Sequence, residues 1–433
     1  MSTEGEQAIL GPRGAAQRAD PQASCPAEGH GGEHVPLVSV VTSAFNALPY
    51  LEQAIRSILD QSMGDFEFIV VDDGSTDGTW EVLEDFGSQD RRMLLMRNET
   101  NRGYAYSQNR GLAHARGKYV ALQDQDDISH GDRLARQVEF LEAHPEVGAV
   151  GVWPLFIDDR GEGIANSCFP LLSDNASLQR QLLDSNCFCG PTLVIRRSLV
   201  AEVDGYDPGS RSAEDYDLQL RLADVAEIAN LPEPLYSYRQ HSKSVSRVRR
   251  FEQMRNKAAA LERAVQRRYG ANHPDNLRLL MARDFLRVAF IGIFVGEREQ
   301  ARDASRKAMA YAPEIARTGT LVEDVIGRYV LRQRYYDPFT LTASIFEELL
   351  PKTRHLSRAR SRLLSRLHMR EVFEGWAEGR GERVDAHWRA GVAADPRWAL
   401  NRGVWAIGAR RLLNRVLGLS GGRQAAEDEK IRP

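Results

Sequence analysis

The sequence predicts an α/β protein: a mainly parallel sheet flanked by helices, followed by an all-α C-terminal region. Three observations predict it. β-branched runs alternate with amphipathic segments from Leu37 to about residue 143, the order that builds parallel strands joined by helical crossovers. Acids collect directly after two of those runs, at Asp72 and Asp73 and again at Asp124, Asp126 and Asp127, where ligands gather in such sheets. From about Phe251 the strand signal gives way to Arg- and Ala-rich helical sequence. The implied division is a disordered tail over 1–34, an α/β domain over 35–250 and a helical domain over 251–433.

Each element follows from local pattern. Leu37–Thr42 (LVSVVT) suits a strand buried on both faces, and Ser43–Asn46 supplies turn residues. Leu51, Ile55, Ile58 and Leu59 then recur at helical spacing. Phe66–Val71 (FEFIVV) is a second buried strand, ending in DDGSTDGTW, where Asp77 can cap the helix carrying Trp80, Val82 and Leu83. Met93–Met96 is a weaker strand, and a small-residue helix over Tyr104–Arg116 leads to Tyr119–Leu122. A helix over Arg133–Ala143 precedes mixed strand and loop over 147–200, with Leu193–Ile195 a short strand after CFCGPT. Leu218, Leu220 and Leu222 sit in a helix whose first turn holds Glu214, Asp215 and Asp217, where negative charge suits the helix dipole. Pro232 and Pro234 break the chain before YSYRQHSKSVSR.

In the helical half, GEREQARDASRKAMAYAP (296–313) and its partial echo at 381–396 have spacing like the second helix of a tetratricopeptide unit. Two imperfect copies make no array, and a plain bundle is the simpler expectation. Arg354, Arg358, Arg362, Arg366 and Arg370 recur every four residues along one slowly drifting face. Such a stripe is a solvated face, or a contact for an anionic membrane surface or acidic glycan.

Composition narrows the classes. With 433 residues, 42% hydrophobic and 27% charged, the chain can bury a sizeable core, and a net charge of -3 argues against non-specific nucleic-acid binding. Cys25, Cys168, Cys187 and Cys189 make no zinc pattern; Cys187 and Cys189 read as half-buried thiols on one strand face. No secretory leader is expected, and Phe285–Gly296 is too short an apolar run to span a bilayer. The expectation is a cytoplasmic protein, peripheral at the inner membrane face at most.

The chemistry concentrates in GKYVALQDQDDI (117–128), where a strand runs into three carboxylates within four residues. Such crowding is unfavourable unless a cation compensates it, and a divalent metal holding a phosphate would do so. The plain alternative is a surface loop whose acids cap the next helix.

Taken together, VSVVTSAFN, DFEFIVVDDGSTDGT, NRGYAYSQNRGLAHARGKYVALQDQDD, GYDPGSRSAEDYDLQLRLA and YSYRQHSKSVS resemble, in order and spacing, the family 2 inverting glycosyltransferases of GT-A fold, over about residues 37–246. The resemblance implies a GT-A-like sheet with Thr42, Ser43, Phe45 and Asn46 against the nucleotide of a sugar donor. It places Asp73 at the base-reading position, favouring a UDP-sugar, and makes Asp124 and Asp126 the D-x-D element. Asp126 would be a direct ligand of Mn2+ or Mg2+, with His241 a further ligand or phosphate contact helped by Ser244 and Ser246, and Asp127 a structural acid. Arg102 and Arg110 would neutralise phosphate charge, or simply lie at the surface. Asp215, beside Glu214, would be the catalytic base that deprotonates an acceptor hydroxyl.

There are departures. Ala44 stands where Pro is common, and no Gln-x-x-Arg-Trp segment or membrane-spanning helix follows, so one sugar per encounter is expected. The acceptor is then a glycan or glycolipid; Trp153, Phe156, Phe169 and Phe188 are either its stacking platforms or core. A sugar-phosphate nucleotidyltransferase would need a Gly- and Arg-rich loop after the first strand, and SAFNALPYLE is not one. A non-catalytic binding or scaffold protein of the same shape should lack the metal or base acid, yet Asp126 and Asp215 are present.

Overall fold

The computed structural model describes residues 34–401 except 169–170, 242–248, 331–336 and 378–380, together with 403, 404, 406, 407 and 409. Residues 1–33 of the expected N-terminal tail, with Cys25, and Phe169, Ser244 and Ser246 lie outside the described residues.

Nine strands form one sheet: β1 (Val38–Ala44), β2 (Phe66–Asp72), β3 (Met93–Arg97), β4 (Tyr119–Leu122), β5 (Ile128–Ser129), β6 (Val147–Ile157), β7 (Gly163–Cys168), β8 (Val194–Arg196) and β9 (Glu227–Arg239). Their order is β3-β2-β1-β4-β8-β6-β9-β5, with β7 beside β6. The first four strands are parallel, as their helical crossovers require. Beyond β4 the sheet becomes mixed: β8 is antiparallel to both β4 and β6, β6 and β9 are parallel, and β5 is antiparallel to β9. Helices α1 (Leu51–Leu59), α2 (Thr79–Gln89), α3 (Tyr104–His114) and α4 (Arg133–Ala143) follow β1, β2, β3 and β5. Continuous burial of β1, β2 and β4 confirms strands covered on both faces.

Three local expectations are corrected. Pro232 and Pro234 do not end a strand; they lie within β9, and the pairing with β6 slips there, between Val152 and Pro154, because proline cannot donate to the ladder. Cys187 and Cys189 are not on a strand but in the loop before the 3-10 turn Gly190–Thr192, where Cys187 is buried and Cys189 half-buried. Asp77 is not the N-cap of α2, a position taken by Gly78, but stands one residue before it and accepts from the backbone N–H and hydroxyl of Thr79 at 3.0 and 2.6 Å.

Helices α5 (Asn175–Asp184), α6 (Arg197–Glu202) and α7 (Glu214–Val225) complete the α/β half. The chain then becomes helical: α8 (Arg250–Tyr269), α9 (Asp275–Val295), α10 (Arg298–Tyr311), α11 (Ile315–Thr318), α12 (Thr320–Val330), α13 (Pro338–Glu348), α14 (Arg354–Ala377) and α15 (Gly381–Ala394). The small residues foreseen in α10 let it pack tightly, with Ala301 and Ala308 fully buried. The arginine stripe on α14 divides: Arg362 pairs with Glu323, Arg370 lies beside Glu371 and Glu374, and Arg354, Arg358 and Arg366 are exposed. Ala260, Leu261, Ala264 and Val265 of α8 share one buried cluster with Tyr216, Leu220 and Leu222 of α7, so the core runs across residue 250. Among the described residues, no helix is long and apolar enough to cross a membrane.

Candidate active site

Parallel register places the carboxyl ends of β1, β2 and β4 side by side: Ala44 pairs with Asp72, and Val41 with Leu122. The acids that follow β4 form the first half of the site. Ligand oxygens of Asp124, Asp126 and Asp127 lie within 4.8 Å of one another. Burial, then the charges of Asp127 and Asp126, pushes the Asp124 carboxyl well above the usual range; burial and the Asp126 charge do the same for Asp127. Three hard oxygen donors so crowded fit Mn2+ or Mg2+ with phosphate oxygens completing the shell. His241 Nε2 stands 2.8 Å from Asp126 Oδ2, so the structure brings both expected metal residues together. Asp127 has a structural partner, its Oδ1 accepting from the Arg239 backbone N–H at 2.7 Å.

Sequence reasoning missed what underlies these acids. Among the described residues, Arg133 and Arg239 are the two largest fully buried side chains. Arg239 donates to the carbonyls of Asp126 and Asp158 at 2.8 and 3.1 Å and to Gln53 at 2.7 Å, with Tyr50 stacked on its guanidinium. Arg133 donates to the carbonyls of Leu122 and Pro191 at 3.1 and 3.0 Å, and burial lowers its pKa to about 10. These cations offset part of the carboxylate charge from inside the fold. A buried arginine inside YSYRQH, flanked by aromatics, was the available signal. Arg239→Leu should therefore destabilise the fold by about 3–5 kcal/mol, read by urea denaturation.

The turn after β1 is tied to the acidic loop by Gln125, the middle residue of D-Q-D, whose Oε1 accepts from the Phe45 backbone N–H at 2.6 Å. Asn46 adopts φ 47° and accepts from the Thr76 N–H at 2.9 Å, while its own N–H donates to Ser75 Oγ at 2.9 Å. Phe45 is left 40% exposed beside this turn, as a platform for a flat group would be. Thr42 is buried with an unpartnered hydroxyl, and Ser43 is buried next to it.

Asp73 organises the neighbouring loop. Its carboxylate accepts from Asn98 Nδ2 at 2.7 Å and from the backbone N–H groups of Arg102 and Gly103, both at 2.8 Å. A carboxylate has about four acceptor positions, so one remains for a further donor. Arg110 is engaged on the Arg97 carbonyl and Asn98 Oδ1 at 2.7 and 2.6 Å, bracing Asn98 behind Asp73. Arg102 is exposed and stacks on Tyr106 at 4.4 Å.

Asp215 supplies the second half of the site. Burial, with the Glu214 charge adding to it, raises its pKa to about 7. Two tyrosines span the gap to the first half. The Tyr206 phenol lies against Asp215 and lowers its pKa in opposition, and Tyr206 packs edge-to-face on Tyr104 at 5.6 Å. Tyr104 in turn donates to Asp124 Oδ1 at 3.4 Å. Gly190 closes the back: a Cβ there would stand 2.6 Å from Asp215 Cγ. The glycine of CFCGPT is thus set by the carboxylate it faces, and Gly190→Ala should lower kcat by about 10-fold or more through displacement of Asp215, with donor KM little changed. Of the aromatics considered for an acceptor pocket, Phe188 is buried core and Trp153 donates to the Leu171 carbonyl at 3.0 Å.

Comparison with known proteins identifies the family. The family profile described as "Glycosyl transferase family 2" matches residues 39–204. The "Putative glycosyltransferase EpsE" of Bacillus subtilis is 36% identical over 49% of this chain and 76% of its own length. An "Uncharacterized glycosyltransferase" of Haemophilus influenzae is 32% identical over 51% and 71%. The crystal structure of S. aureus TarS 1–349 in complex with UDP-GlcNAc superposes with a TM-score of 0.46 at 20% identity, covering 79% of this chain and 92% of that one. The profile spans the strands that carry Asp73, Asp124 and Asp126, and the relatives extend over most of their own length; the chain is a family 2 glycosyltransferase.

Proposed function

We propose that this enzyme is a metal-dependent, inverting, non-processive glycosyltransferase that moves a sugar from a nucleotide-sugar, first a UDP-sugar, to a hydroxyl of a glycan or glycolipid. One observation carries the reading: a cluster of hard oxygen donors lies close enough to a carboxyl with a pKa near neutrality for the Asp215 charge to act on Asp124, with Tyr104 and Tyr206 between them.

Thr42, Ser43, Phe45 and Asn46 line the nucleotide, and the remaining acceptor position of Asp73 takes the N3 hydrogen of uracil. Asp124, Asp126 and His241 would hold Mn2+ or Mg2+, which would supply charge stabilisation to the leaving diphosphate. Arg102, exposed at the loop edge on the Tyr106 ring, would meet phosphate; Arg110 acts through Asn98. Asp215 takes the proton of the acceptor hydroxyl as that oxygen attacks the anomeric carbon opposite the diphosphate, which inverts the centre. A base with a pKa of about 7 is well matched to this work near neutral pH. The exposed Arg354, Arg358 and Arg366 offer a cationic face to an anionic acceptor or peripheral membrane surface.

The test is release of free sugar and nucleoside diphosphate from a panel of nucleotide-sugars, with Mn2+, with Mg2+ and with chelator. Turnover of a UDP-sugar that requires the divalent ion is expected. Turnover undiminished by chelator would sink the metal assignment, and preference for a purine diphosphate sugar would sink the role given to Asp73.

A further inference from the structure

Nothing in the family resemblance gives the helical region a part in the reaction, yet its first helix grips the segment that leads into Asp215. That segment is unusual. Asp204, Gly205 and Ser212 all have positive φ, of 58°, 59° and 64°, and two of them are not glycine. Non-glycine residues hold such backbone only when their surroundings impose it.

Three residues of α8 hold the Ser212 end of this segment. Glu252, Asn256 and Arg263 are spaced four and seven apart, so they share one helix face. Ser212 donates to Glu252 Oε2 at 3.2 Å, and Asn256 Nδ2 donates to the Arg211 carbonyl at 2.5 Å. Arg263 Nη2 donates to Ser210 Oγ at 2.5 Å and to Asp217 Oδ1 at 2.8 Å, and it lies 3.4 Å from Asp207. Asp217 is almost fully buried and also accepts from Arg221 at 2.7 Å. Two residues turn an α-helix by about 200°, so Asp217 and Asp215 project from opposite sides of α7. Anchoring Asp217 therefore fixes the rotation at which Asp215 meets Gly190 and Tyr206. Tyr206 is fixed from the other side, exchanging hydrogen bonds of 2.8 Å with Asn109 of α3 through both its backbone N–H and its carbonyl.

We propose that α8 is a positioning element of the active centre, in which Glu252, Asn256 and Arg263 clamp residues 207–213 and so set the place of Asp215. The inference rests on the reading of Asp215 as the base. None of the three touches the reacting atoms; they act through Ser210, Ser212 and Asp217.

The test uses the full chain and measures sugar transfer, donor KM and thermal unfolding for Arg263→Ala, Arg263→Lys and Ser212→Gly, with Asp215→Asn alongside. Ser212→Gly keeps a residue at ease with positive φ while cutting the link to Glu252, so it should fold even if Arg263→Ala does not. A clamp predicts kcat lowered about 10-fold or more in Arg263→Ala and severalfold in Ser212→Gly, donor KM unchanged, and partial recovery in Arg263→Lys, which restores the ion pair to Asp217. If Ser212→Gly and folded Arg263→Ala keep wild-type kcat while Asp215→Asn is inactive, the clamp is wrong and the base assignment stands. If Asp215→Asn itself retains transfer, the base assignment fails, and with it the purpose of the clamp.

Discussion

Asp215→Asn is expected to lower kcat for sugar transfer by about 10²–10⁴-fold while leaving donor affinity in place, the range for removal of a positioned general base, the role proposed for this residue. The amide keeps the shape of the carboxylate and its contact with Gly190 but cannot accept a proton. In the wild type, kcat/KM should rise with pH through about 7 and then level, because the base must be ionised and its burial holds the pKa there. The same burial makes a stability prediction of definite sign. The carboxyl titrates higher in the folded chain than in the unfolded one, so the folded state binds more protons between those values and stability falls as pH rises through the window up to about 7. Asp215→Asn should then be more stable than wild type at pH 8, with little difference at pH 4, as read by thermal or urea unfolding. Loss of activity with gain of stability is the signature of a residue held for chemistry.

Asp126→Ala is the second large effect, with kcat lower by about 10²–10³-fold and the response to added Mn2+ or Mg2+ flattened, as for loss of a group stabilising leaving-group charge. Asp126 stands in the one acidic triad among the described residues whose ligand oxygens converge within 4.8 Å, and it is the member that faces His241. Asp127→Asn should behave differently. Its Oδ1 still accepts from the Arg239 N–H as an amide oxygen, so the variant is expected to keep most of the metal response.

Strand–helix alternation from Leu37 to Leu122 was legible because β1, β2 and β4 are buried on both faces and α1 and α2 carry an apolar stripe, while β3 is half exposed and α3 packs through small and polar residues. The acids after β2 and β4 were legible for the same reason: strand ends converge whatever the side chains do. What escaped was set by distant partners. Arg133 and Arg239 look like surface residues in one dimension, and only the meeting of β4, α4 and β9 shows that they lie beneath the acidic loop. Asp73 was read for a ligand, and its hydrogen bonds to the 102–103 backbone depend on a loop about thirty residues away whose path no local pattern fixes. The bulged continuation of β9 through Pro232 and Pro234 needed β6 as a template. The change to helical sequence near residue 251 was plain, whereas its packing into the core of α7 was not, since Ala260 and Ala264 carry no sign of which surface they cover.

The most direct test is calorimetric titration of the full chain with UDP, in Mn2+ and in chelator, for wild type and Asp126→Ala. The expected result is UDP binding to wild type that weakens about 10-fold or more when the ion is removed, and weak binding to Asp126→Ala whether or not Mn2+ is present. Equal UDP affinity in all four titrations would contradict a metal-dependent hold on the diphosphate at Asp124 and Asp126.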